Sequence, residues 1–163
     1  LEGLASGGFI ERLEGLQMDR EVQAMGIFGE RFLVDQWIEA DFRFRGEGAA
    51  QSAGLFLRLS ENSQHTEQVT VGHRGYYVGF DMESVRVDRM NFMAKPLASM
   101  PCRLKKEKLY TLRAEIHGDT ISVYVDNKLL LTVADRDPLN YGQIAVGSFG
   151  ARVTVERVKV DAK

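Results

Sequence analysis

From residue 37 to residue 160 the apolar positions of this chain recur every second residue, the spacing of strands that lay one face on a core. Ile38, Ala40, Phe42 and Phe44 alternate with Trp37, Glu39, Asp41 and Arg43. Leu55, Leu57 and Leu59 alternate with Phe56 and Arg58, then Tyr76, Val78 and Phe80 with Tyr77, Gly79 and Asp81, and Val85 and Val87 with Arg86 and Asp88. Tyr110, Leu112, Ala114 and Ile116 alternate with Thr111, Arg113, Glu115 and His117, and Ile121, Val123 and Val125 with Ser122, Tyr124 and Asp126. Leu129, Leu131 and Val133 follow, then Ile144, Val146 and Ser148, and last Val153, Val155, Val158 and Val160.

The breaks between these runs carry turn chemistry. Gly46-Glu47-Gly48 ends one strand and a polar loop fills residues 60–66. Gly118-Asp119 and Asp126-Asn127 fit tight hairpins, because Gly, Asp and Asn tolerate a left-handed backbone. Pro96 and Pro101 make residues 92–102 irregular or a sheet edge, since proline donates nothing to a ladder. Residues 1–36 are punctuated by Gly3, Gly7, Gly8, Gly15, Gly26 and Gly29; Ile10, Leu13 and Leu16 fit either one helical turn or short strands. Short strands at close, regular spacing predict an all-β sandwich or barrel, each strand with one core face and one wet face. No domain boundary or fixed repeat divides residues 1–163, so a single domain is expected.

Composition narrows the function classes. With 44% hydrophobic and 27% charged residues the chain is globular in type. Its 21 basic and 23 acidic residues give a net charge of −2, without the clustered basic excess of a nucleic-acid footprint. No apolar run reaches the roughly 20 residues of a membrane span. Cys102 is the only cysteine, which excludes an intrachain disulfide and cysteine-rich zinc sites. His65, His73 and His117 share no metal-ligand spacing. Asp135 and Asp137 flank Arg136 in a loop and offer the hard oxygens a structural calcium needs, or else the acceptors of an Asx turn.

Three stretches resemble domains of the concanavalin A-like superfamily, of the laminin-G and carbohydrate-binding-module type. They are residues 53–58 with 75–78, residues 110–130, and residues 142–160. The resemblance implies a two-sheet antiparallel jelly-roll sandwich. It also brings in the superfamily's range: glycan-binding modules, adhesion domains, glycoside hydrolases and domains of the 3-keto-disaccharide hydrolase type. The hydrolytic pattern Glu-x-Asp-x-x-Glu is incomplete, because Glu39 and Asp41 are followed by Phe44.

The expected function is therefore non-catalytic, lectin-like binding of a glycan or oligosaccharide on a concave sheet face, in a secreted or periplasmic setting. Tyr77 and Tyr124 would stack on a sugar ring, and Arg58, Arg113 and Glu115 would hydrogen-bond to hydroxyls, with Trp37 at the rim. Cross-strand pairing on a solvated face is the competing reading for these side chains. Two other functions stay open. One is an enzyme using Glu115, His117 or Asp88 as acid or base. The other is a protein-binding domain presenting Phe92, Met93, Leu97 and Met100.

Overall fold

The computed structural model describes residues 16–19, 24–46, 52–61 and 71–162. Among these there are eleven strands and no helix: β1 (Leu16–Asp19), β2 (Ala24–Leu33), β3 (Gln36–Phe44), β4 (Ser52–Glu61), β5 (Val71–Phe80), β6 (Ser84–Pro101), β7 (Leu109–His117), β8 (Thr120–Val125), β9 (Lys128–Ala134), β10 (Gly142–Phe149) and β11 (Arg152–Ala162). They form a six-stranded sheet ordered β1-β11-β3-β7-β8-β9 and a five-stranded sheet ordered β2-β10-β4-β5-β6, with every pairing antiparallel. This is the predicted sandwich. Ile10, Leu13, His65 and most of the 60–66 loop lie outside the described residues, and Leu16 begins a strand rather than a helical turn.

The alternation places the core. Ile38, Ala40, Phe42 and Phe44 of β3 face Leu55, Leu57, Tyr76, Val78 and Phe80 of the other sheet, joined by Leu112, Ala114, Ile116, Ile121 and Val123. Phe80 meets Phe42 and Phe44 edge-on at centroid distances of 6.1 Å. Such pairs add about 0.5–1.5 kcal/mol beyond their burial. The Gly118 and Asp126-Asn127 turns form as expected, with Asp126 and Asn127 both at positive φ. β11 shifts register between Val155 and Arg157, which is why its core valines fall at 153, 155, 158 and 160.

A second irregularity matters more. β4 shifts register against both neighbours around Arg58, whose φ is +49°. The extra residue is a β-bulge, and a bulge reverses the alternation beyond it. Leu59, expected inward with Leu55 and Leu57, instead joins Phe56, Tyr77, Met90, Ala145 and Phe149 in a second apolar layer on the outward face of the five-stranded sheet. One wet face per strand therefore holds for the six-stranded sheet and fails for the five-stranded one. Residues 92–102, expected to be irregular or an edge, continue β6 to Pro101 as an edge strand, which tolerates its prolines.

The bulge also turns Arg58 into the closure of one end of the sandwich. Its side chain is 1% exposed, donating from Nε to Val34 O at 2.8 Å and from Nη1 to Leu139 O at 2.6 Å. Its backbone N–H donates to Gln36 Oε1 at 2.7 Å, and Gln36 Nε2 donates to Leu33 O and Gly142 O. Three stretches of chain, residues 33–36, Arg58 and residues 139–142, are thus tied at one point. Gly142 passes so close that a Cβ there would run into the Arg58 carbonyl group.

Candidate functional site

The outward face of the six-stranded sheet carries the polar and aromatic side chains that alternation predicts. Asp161 of β11 pairs with Trp37 of β3, and Trp37 with Glu115 of β7, so the three stand in one cross-strand row. Opposed residues in such a row lie about 5 Å apart at Cβ, near enough for all three to contact one ligand. Asp35, Gln36, Trp37, Glu115, His117, Asp161 and Ala162 line a cleft of about 400 Å³ at the end of this face. Trp37 is half-buried, an indole with one part packed and one part accessible.

The adjoining row is Lys159, Glu39, Arg113, Tyr124 and Leu129. The Arg113 guanidinium carbon lies over the Tyr124 ring, 3.8 Å from its centroid, and Arg113 Nε is 3.3 Å from Glu115 Oε1, an ion pair not aligned as a hydrogen bond. The guanidinium thus covers one face of Tyr124 and is held beside Glu115. One row further, Arg157 donates to Asp41 Oδ2 at 2.8 Å and to Glu39 Oε1 at 3.1 Å, and Thr111 Oγ1 donates to Asp41 Oδ1 at 2.7 Å. These carboxylates act as acceptors for fixed donors, the arrangement of a rigid polar face.

The cleft itself is richer in negative charge. Asp35 accepts from the Gly118 backbone N–H at 3.2 Å and lies 3.5 Å from His117 Nδ1. The Gly118 N–H, with His117 beside it, holds the Asp35 carboxyl below the usual carboxylate range. The buried Arg58 guanidinium approaches Asp35 from behind at 3.8 Å. Asp161 has no ion-pair partner among the described residues.

Four of the six side chains expected to bind a ligand, Trp37, Arg113, Glu115 and Tyr124, are brought to this one face. Arg58 and Tyr77 are not. Both sit in the five-stranded sheet, on the other side of the sandwich, and both are buried. The bulge draws Arg58 into main-chain hydrogen bonds. Tyr77 points outward as alternation requires, but it is 0% exposed, packs against Phe56 and Phe149, and shares a 2.6 Å hydrogen bond with Ser52. Its ring lies over Gly79, where a Cβ would strike the phenol. Neither can stack on or bond to a sugar where it stands.

Asp88, one of the candidate acids, also belongs to that closed face, 3.0 Å from Arg86; burial pushes its carboxyl above the ordinary range. His73 lies there too, fully buried against Phe56 and Phe149, with neither ring nitrogen partnered among the described residues. Burial, which disfavours the charged imidazolium, holds its pKa below the ordinary histidine value. As pH falls below about 6.5 the unfolded chain takes up a proton that native His73 refuses, so stability drops until the lowered native pKa is reached. Asp88, with its raised value, works in the opposite sense at lower pH. His73→Leu should raise stability by about 1 kcal/mol at neutral pH by removing the unpaired imidazole. It should also flatten the decline between pH 7.5 and 5.5 in urea unfolding, and parallel pH slopes for variant and wild type would refute this account.

Asp135 and Asp137, expected as calcium ligands or an Asx turn, are engaged within the protein. Asp135 Oδ2 accepts from Tyr76 Oη at 2.7 Å and lies 2.9 Å from Arg89 Nε, while Asp135 Oδ1 accepts the Asp137 N–H at 3.1 Å as an Asx turn does. Among the described residues no group of three or more His, Cys, Asp or Glu side chains is placed to hold a metal ion. In the Met-rich stretch, Phe92, Met93 and Met100 are exposed, whereas Leu97 packs on the main core.

Asp35 and Asp161 were missed as members of the site. Alternation alone puts Asp161 outward after Val160, but only the pairing of β11 with β3 sets it beside Trp37.

No protein-family model and no curated protein matches the chain by sequence. Solved structures do match in fold. The carbohydrate binding module CBM66 from Bacillus subtilis superposes with a TM-score of 0.71 at 17% identity, covering 98% of this chain and 99% of that one. A Bacillus subtilis protein of unknown function with a galectin-like fold gives 0.70 at 12% identity, over 93% and 89% of the two chains. The VIP36 exoplasmic/lumenal domain, in a Ca2+/mannose-bound form, gives 0.64 at 12% identity, over 94% and 81%. The fold is the concanavalin A-like jelly-roll sandwich that the sequence motifs resemble.

Proposed function

We propose that this domain is a non-catalytic, lectin-like module that binds a glycan on the outward face of its six-stranded sheet. The observation that carries the reading is the row Asp161–Trp37–Glu115 at an accessible cleft of about 400 Å³. An indole covers the apolar C–H face of a sugar ring, while carboxylates and Arg113 accept from and donate to vicinal hydroxyls. On the outward face of the opposite sheet, Phe56, Tyr77 and Phe149 are buried in the second apolar layer, so these rings are not open to a ligand. That several proteins of the same fold are named for carbohydrate binding supports the choice of ligand class. A secreted, periplasmic or lumenal setting suits such a module.

Affinity should be modest, millimolar to micromolar, or roughly 4–8 kcal/mol, because a few contacts must offset desolvation of the sugar. A glycan array followed by calorimetry on Trp37→Ala tests the site. Loss of one aromatic platform should weaken binding by about tenfold, on the order of 1.4 kcal/mol. Unchanged binding by the variant would remove the site from this face, and an array on which nothing binds would remove the function.

A further inference from the structure

We propose that this cleft selects glycans carrying free amino groups, 2-amino sugars above all, over their N-acetylated, neutral and acidic counterparts. The inference rests on the glycan-binding reading and deepens it. Three carboxylates, Asp35, Glu115 and Asp161, line the cleft around one indole, and among the described lining residues the only basic side chain is His117. Of the three, Glu115 shares its charge with Arg113, and Asp35 has the buried Arg58 behind it. Asp161 meets no cation among the described residues and is exposed.

An acidic rim around an aromatic face is the chemistry that holds an ammonium group. The ring quadrupole attracts the cation, and the carboxylates accept its N–H bonds. A protonated 2-amino sugar offers both required surfaces at once: an apolar C–H face for Trp37 and an ammonium at the ring edge for Asp161 and Glu115. Acetylation removes the charge. A uronic or sulfated sugar brings like charge against three carboxylates, which disfavours it. Asp35 keeps its charge through the mildly acidic range in which sugar amines are protonated, because the Gly118 N–H supports the ionised form.

The test is calorimetry at about pH 6 with a glucosamine tetramer, its fully N-acetylated counterpart and a galacturonic acid tetramer, at low salt and in 1 M salt. At roughly 1 M the Debye length is only about 3 Å, so the charge-dependent part of binding should fade. The free-amine oligomer should bind about tenfold tighter than the acetylated one at low salt, and the uronic oligomer weakest. High salt, and separately Asp161→Asn, should bring the amine-to-acetyl ratio toward one. Equal binding of the amine and acetyl forms, with binding still weakened about tenfold in Trp37→Ala, would overturn the selectivity and leave the glycan site standing. An amine preference that persists in Asp161→Asn and Glu115→Gln would also overturn it. Binding of none of the three, together with a blank glycan array, would remove the site and the selectivity with it.

Discussion

Replacing Arg58 by methionine should cost about 3–5 kcal/mol of stability, an effect of the size seen when a buried, hydrogen-bonded charge is deleted and its partners are left behind. Methionine keeps most of the aliphatic volume, so the loss reads the guanidinium rather than a cavity. Two carbonyls, Val34 O and Leu139 O, would lose their donors at the closed end of the sandwich. For a domain of this size the change corresponds to a drop in Tm of about 6–20 °C. Burial pulls the Arg58 pKa below its ordinary value, but arginine stays charged, so the guanidinium persists because of those carbonyls with Asp35 nearby. Urea unfolding of Arg58→Met within about 1 kcal/mol of wild type would show that the bulge and not the side chain holds this end together.

The second large effect is expected at the other fastening of the β9–β10 loop. Asp135→Ala should cost about 3–4 kcal/mol, because it leaves the buried Tyr76 hydroxyl proton without an acceptor and the half-buried Arg89 with only the exposed Asp137 as partner. Tyr76 itself is locked in: its hydroxyl receives the Leu139 N–H at 2.8 Å and donates to Asp135, and burial pushes its pKa up to about 12. Two companion variants separate charge from hydrogen bonding. Asp135→Asn keeps an acceptor for Tyr76 and loses only the ion pair, so its cost should be intermediate. Tyr76→Phe keeps the ion pair and should cost about 1–2 kcal/mol. Calcium or a chelator should leave the thermal midpoint of the wild-type protein in place, since both Asp135 oxygens already have partners. A calcium-dependent rise of several degrees would show instead that the loop opens to take the ion.

Both residues drew attention in the sequence as functional candidates, and both turn out to fasten the fold. The reason is the same in each case. A polar residue at an outward position of a strand, or an Asp in a loop, looks alike whether it faces water, a ligand or another part of the chain. Only the distant partner decides, and for Arg58 that partner is the main chain at Leu139, for Asp135 the hydroxyl of Tyr76.

Features that depend on local backbone geometry are legible along the chain. Period-2 alternation marks β3, β7 and β8 and their inward rows, because successive side chains on any strand point to opposite faces. The Asp126-Asn127 turn is legible because few residue types accept positive φ. From these follow the sandwich, its core and the outward position of Trp37, Arg113, Glu115 and Tyr124. The tertiary structure decided everything that depends on which strand lies beside which. β4 and β5 join a different sheet from β3, β7 and β8, so Arg58 and Tyr77 stand on the far side of the core from the other four. β11, the last strand in the chain, lies against β3, which sets Asp161 beside Trp37 and completes the cleft. No local pattern encodes either pairing. The burial of many side chains at once selects them, and the same burial turns the outward face of the five-stranded sheet into a second apolar layer.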